Sequence, residues 1–123
     1  MKHIKSYRIF ESFQEVTKDD MDSLVDTLTT EVFDEFDIYH DVDRWKDESP
    51  PYWEYIMGSN RRIIIGNLES DVYTQVINIL HSIRKTVYGR TGLEYTFQHE
   101  VFNKKGFITL TIFKDSNEYK DPY

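Results

Sequence analysis

Two stretches near the end of the chain alternate between inward and outward side chains, and they lie close enough together to pair. In Leu93–Phe102, the residues Leu93, Tyr95, Phe97, His99 and Val101 fall on one face. In Phe107–Phe113, Ile108, Leu110 and Ile112 do the same. Asn103-Lys104-Lys105-Gly106 joins the two stretches as a hairpin loop. A hairpin is not stable alone, so the rest of the chain must supply more strands and a layer to cover one face.

The upstream sequence supplies both. Arg61–Gly66 holds the run Ile63-Ile64-Ile65, which suits a central strand buried on both faces. Tyr52–Met57 reads as its partner strand across the turn signal Gly58-Ser59-Asn60. Residues 17–39 carry Met21, Leu24, Val25, Leu28, Val32 and Phe36 at helical spacing, with Thr17 as N-cap. Residues 71–88 form a second helical stripe through Val72, Val76, Leu80, Ile83 and Val87. Ser70 caps its start, Arg84 and Lys85 lie in its last turns and Gly89 ends it. The expected fold is α+β, a two-layer sandwich. It has an antiparallel sheet of about four strands with two helices on one face, in the order α-β-β-α-β-β. Residues 1–16 form an N-terminal arm or edge segment, 17–114 a single domain, and 115–123 a polar tail.

The chain has 123 residues, enough for one core without covalent staples. It has no cysteine, which excludes disulfides, thiolate metal sites and a cysteine nucleophile. No apolar run approaches the roughly 20 residues of a membrane span, and the N-terminus lacks the apolar block of a signal peptide. A cytoplasmic setting with no membrane partner is expected. The net charge of −7 is unevenly divided. Residues 17–60 carry thirteen acids against Lys18, Arg44 and Lys46, whereas residues 61–114 are net basic. Such asymmetry marks either a binding surface or two halves that neutralise each other.

The opening Lys2-His3-Ile4-Lys5-Ser6-Tyr7-Arg8-Ile9-Phe10-Glu11-Ser12, followed by a small helix–hairpin–helix–hairpin domain, resembles short uncharacterised proteins of large tailed phages. Ile9-Phe10-Glu11 also resembles the Ile/Leu-x-Glu cleavage pattern of phage prohead maturation proteases, so it is a candidate processing site. Packing of Ile9 and Phe10 on the domain explains the same residues. The resemblance implies a phage-encoded viral protein in the host cytoplasm or in the virion. It brings no catalytic residues with it.

Candidate chemistry is sparse. Asp37, His40, Asp41, Asp43, Asp47 and Glu48 offer oxygen and imidazole ligands, but their spacing matches no calcium loop, and a solvated acidic loop is the commoner explanation. No metal or other cofactor is therefore expected. His99, between Phe97 and Val101, reads as a hydrogen-bonded core histidine. No Gly-x-Ser-x-Gly elbow is present, and Gly89-Arg90-Thr91-Gly92 lacks the P-loop frame.

Two binding surfaces stand out. Trp45, Tyr52, Trp53 and Tyr55 form an aromatic cluster of the kind found at protein interfaces, although packing beneath Pro50-Pro51 explains them equally. Arg61, Arg62, Arg84, Lys85, Arg90, Lys104 and Lys105 could contact phosphates, with Tyr95, Phe97, Phe107 and Phe113 stacking bases. The favoured expectation is a non-enzymatic accessory or virion-associated protein acting on a phage or host protein partner. A small nucleic-acid-binding module is the alternative, and a metal-dependent hydrolase the third.

Overall fold

The computed structural model describes residues 13–40 and 50–115. The strands are β1 (Phe13–Gln14), β2 (Tyr39–His40), β3 (Tyr52–Ile56), β4 (Arg62–Leu68), β5 (Leu93–Phe102) and β6 (Lys105–Asp115). The helices are α1 (Lys18–Leu28), extended by a π-helical turn at Thr29–Phe33, then α2 (Ser70–Ser82) and α3 (Arg84–Thr91). The chain is thus α+β, with more elements than its patterning suggests. The sheet has six strands and is mixed, because β2 runs parallel to β3. β1 and β2 have two residues each, too few for an alternation to register.

β6 is the spine of the sheet. β5 pairs with it from Leu93↔Lys114 to Phe102↔Lys105. On the opposite edge it carries β4 over its first half and β1 at its end. Asn103 and Lys104 both have positive φ, 52° and 67°, so the β5–β6 connection is a two-residue turn of the type that matches strand twist. A bulge in β4 shifts register between Ile65 and Leu68. Asn67 sits there at φ 61°, and the extra residue turns Leu68 into the core in place of Asn67.

One face of the sheet presents Ile63, Ile65, Leu93, Tyr95, Ile108, Leu110 and Ile112, all buried. Met21, Leu24 and Leu28 of α1, Val76 and Leu80 of α2, and Val87 of α3 complete the same core. Ile64 points to the other face and is only half-buried, so the isoleucine run is not covered equally on both sides. Gly106 lies on the helix-facing side, and the Tyr73 ring of α2 fills the space its side chain would take.

The helix boundaries differ from expectation. α1 begins as expected. Asp20 N–H donates to Thr17 Oγ1 (3.1 Å) and Thr17 N–H donates to Asp20 Oδ2 (3.0 Å), a closed capping box. The helix does not reach residue 39. The hydroxyls of Thr27, Thr29 and Thr30 donate back to the carbonyls of Ser23, Val25 and Asp26, a pattern that loosens and bends helices. The chain then widens into the π-turn and reverses at Asp37, φ 53°. The second helical stripe is two helices, broken at Ile83 (φ −92°, ψ 4°). Arg84 and Lys85 therefore open α3 instead of closing α2. Gly89 lies inside α3, and Gly92, at φ 72°, is the residue that caps it. Glu69, not Ser70, holds the N-cap position of α2 and makes no side-chain capping bond.

Candidate functional site at the outer strand

β5 forms one edge of the sheet, since its only strand partner is β6. The two-residue turn determines which of its backbone groups face outward. Phe102 and Lys105 flank the turn and form a pair that exchanges backbone hydrogen bonds. Counting back, the even-numbered residues of β5 bond to β6, while Tyr95, Phe97, His99 and Val101 turn their N–H and C=O groups outward. The carbonyl of Tyr95 has a partner there, because Arg84 Nη2 donates to it at 3.2 Å. The Arg84 guanidinium also lies 5.8 Å from the centre of the Tyr95 ring. His81, Arg84, Lys85, Tyr88, Glu94 and Tyr95 line a groove of about 460 Å³ beside this contact.

The helix-facing side chains of β5 become steadily more exposed along the strand. Leu93 and Tyr95 are buried, Phe97 is half-buried, and Val101 is 61% exposed. Tyr95 donates its hydroxyl to the Leu80 carbonyl at 2.6 Å, and burial pushes its pKa up to about 12 against the opposing charge of Arg84. Further along, the His81 ring lies 4.8 Å from Phe97, and the Tyr73 hydroxyl and His99 Nδ1 share a hydrogen bond of 2.6 Å. Burial, with the Glu100 charge adding to it, raises the Tyr73 hydroxyl above its ordinary value. His99 is exposed on this rim, so it is not the core histidine that the alternation suggests. Beyond Tyr73 the strand outruns its helical cover, and Val101 and Phe102 (55% exposed) emerge into solvent.

The aromatic cluster expected to make protein contacts lies elsewhere and mostly inside. Trp53 is 8% exposed, stacked between Phe33 (5.1 Å) and His40 (4.2 Å). Tyr52 is 6% exposed and lies over Gly66, beside Phe107. Tyr55 is half-buried and packs against the core. These three residues pack the domain, because β3 is an inner strand covered by the π-turn. Trp45 lies outside the described residues.

The basic residues do not gather on one face. Arg61 bonds the Gly58 carbonyl (2.7 Å) and pairs with Glu15 (3.5 Å). Arg90 pairs with Glu31 at 4.0 Å, and Lys105 with Glu69. Arg61 and Arg62 stand at one end of the sheet and Lys104 and Lys105 at the other, because Arg62 pairs with Thr111 while Lys105 begins β6. Arg84 and Lys85 sit apart from both groups, by the groove. Of the aromatics considered for base stacking, Tyr95 is buried, and Phe97, Phe107 and Phe113 are half-buried.

Among the described residues, no three His, Asp or Glu side chains gather where they could share a metal ion. Asp37 and His40 are described; Asp41, Asp43, Asp47 and Glu48 are not, and neither is the Ile9-Phe10-Glu11 processing motif. No helix among the described residues is long and apolar enough to cross a membrane.

Val101 and Phe102 went unrecognised in the sequence because the alternation places Val101 on the buried face. The usable signal was the tight turn. It carries the strand out to Phe102, farther than the α2 helix can cover. Comparison with protein-family models, with curated proteins and with solved structures finds no match for this chain.

Proposed function

We propose that the chain is a non-enzymatic accessory protein that works through protein–protein contacts, and that its contact surface is the outer edge of β5 with the end of its hairpin. The observation that carries this reading is the exposure of Val101 and Phe102 beside a ten-residue strand that has no outer neighbour. Proteins commonly protect an edge strand with lysine, proline or a bulge. β5 contains no Lys and no Pro, and its register with β6 is unbroken. The likeness of residues 2–12 to short proteins of large tailed phages supports placing this role in a phage-infected cell or a virion. A partner added at the edge would gain backbone hydrogen bonds from the strand and an apolar anchor from the hairpin end.

The test is co-purification from expressing or infected cells, with and without nuclease, of the wild type and of Val101→Lys and Phe102→Ser. Losing an interface anchor costs about 2 kcal/mol or more, roughly thirtyfold in affinity. Both variants are expected to lose a nuclease-resistant partner while circular dichroism stays unchanged. Recovery of only nuclease-sensitive, salt-labile material would favour nucleic-acid binding instead.

A further inference from the structure

We infer that the partner at the β5 edge is a second copy of this chain, joined strand to strand about a two-fold axis through His99. This rests on reading the edge as the contact surface and adds the partner and the register. The free stretch is short and has defined limits. Toward the start of β5 it ends at Tyr95, whose outward carbonyl already accepts from Arg84. Toward the other end it stops at Val101, the last outward-facing residue before the Asn103-Lys104 turn. Phe97, His99 and Val101 remain, and His99 is their midpoint.

An antiparallel pair centred on His99 uses all three of these residues and nothing else. His99 exchanges both backbone bonds with His99 of the second copy, and Phe97 does so with Val101 of the second copy. The side chains agree with this register. Val101 meets the half-buried Phe97, which covers exposed apolar surface, and Gln98 meets Glu100, so an amide donor faces a carboxylate. Neighbouring registers are worse. Centring on Gln98 requires the Tyr95 carbonyl that Arg84 occupies. Centring on Glu100 sets Glu100 against Glu100 and runs Phe97 into the turn. The strand is thus self-complementary in one register, as a two-fold interface demands.

The natural chain has no cysteine, so introduced cysteines report proximity without background. His99→Cys, Val101→Cys and Ser59→Cys, the last at the opposite hairpin, would be oxidised mildly at low protein concentration. In the proposed register, residues 99 of two copies lie about 5.5 Å apart between Cα atoms, within disulfide reach. Residues 101 are offset by four positions, about 13 Å, and cannot bridge. The expected result is a disulfide dimer from His99→Cys but not from Val101→Cys or Ser59→Cys. A mixture of Phe97→Cys with Val101→Cys should also cross-link. Sedimentation of the wild type should show a dimer. Val101→Lys should weaken it at least about tenfold, and His99→Pro should do the same. Proline at 99 removes only an outward N–H, so the fold should persist.

A wild type that stays monomeric at tens of micromolar, or a dimer in which His99→Cys cross-links no faster than Ser59→Cys, overturns the inference. If Val101→Lys then still loses a different protein in co-purification, the contact reading survives and only self-pairing fails. If nothing is lost, both fail.

Discussion

The Tyr95 hydroxyl donates to the Leu80 carbonyl at 2.6 Å, tying the buried half of β5 to the last turns of α2. Tyr95 is 1% exposed, so the carbonyl it satisfies has no ready water to replace it. Tyr95→Phe is expected to cost about 1–3 kcal/mol, the penalty for leaving a buried polar group unpaired. Urea denaturation measures it directly. The same burial gives the protein an alkaline limit. The folded hydroxyl ionises near pH 12 and an unfolded tyrosine near 10, so the folded state holds the proton more tightly. The stabilisation is complete below pH 10 and is lost as pH rises toward 12. A phenolate absorbance titration should show one tyrosine resisting ionisation, and Tyr95→Phe should remove that late component.

Gly106 and Tyr73 form a second tie between the layers. A Cβ at 106 would fall within the Tyr73 ring. Gly106→Ala is therefore expected to destabilise the domain by about 1–3 kcal/mol through overpacking. Tyr73→Ala opens the space, so the double variant should be less damaged than the sum of the two singles. A double-mutant cycle from denaturation midpoints checks this, and simple additivity would contradict it.

The start of α1 sets an acid limit. Burial raises the Asp20 carboxyl, but the two Thr17 hydrogen bonds and the nearby Lys114 outweigh it, and the net shift is below the ordinary value of 3.8. A depressed carboxyl contributes stability that is present above its unfolded pKa and is lost as pH falls through its folded value. Thr17→Ala should cost about 1 kcal/mol at neutral pH. Asp20→Asn should flatten the acid limb of the stability curve. Thermal melts across acid pH measure both.

In the core, Leu28→Ala and Leu80→Ala should each cost about 2–5 kcal/mol, since both side chains are fully buried. Ile64→Ala should cost clearly less, because Ile64 faces away from the helices and stays half-buried. Equal losses at all three positions would mean that the second face of the sheet is as tightly packed as the first.

The β5–β6 hairpin was legible because alternation is a local property that survives without tertiary context. The β5 bounds, Leu93–Phe102, follow directly from it. The Thr17 cap was legible for the same reason, as its partner Asp20 is three residues away. The break at Ile83 was not legible: no Gly or Pro stands there, and the apolar stripe passes through it from Leu80 to Val87. Tyr52 and Trp53 were misread as surface because aromatic residues look alike in a core and at an interface until their neighbours are known. Phe33, the ring that stacks on Trp53, is twenty positions upstream. The free edge of β5 was hidden more deeply, since a missing neighbour is a property of the whole sheet.

The π-turn at Thr29–Phe33 has a consequence for chain length. Its ladder spans five residues, with Asp34 N–H donating to the Thr29 carbonyl at 2.9 Å, so it is a regular helix with one residue too many. Deleting the exposed Thr30 would restore the ordinary spacing and rotate Phe33 by about 100° around the helix axis, off the Trp53 ring. The surplus residue thus acts as a phase shifter between helix and sheet. Insertions and deletions in the exposed Gly58–Asn60 turn should be absorbed locally, whereas a single one here would put every later contact of the segment out of step.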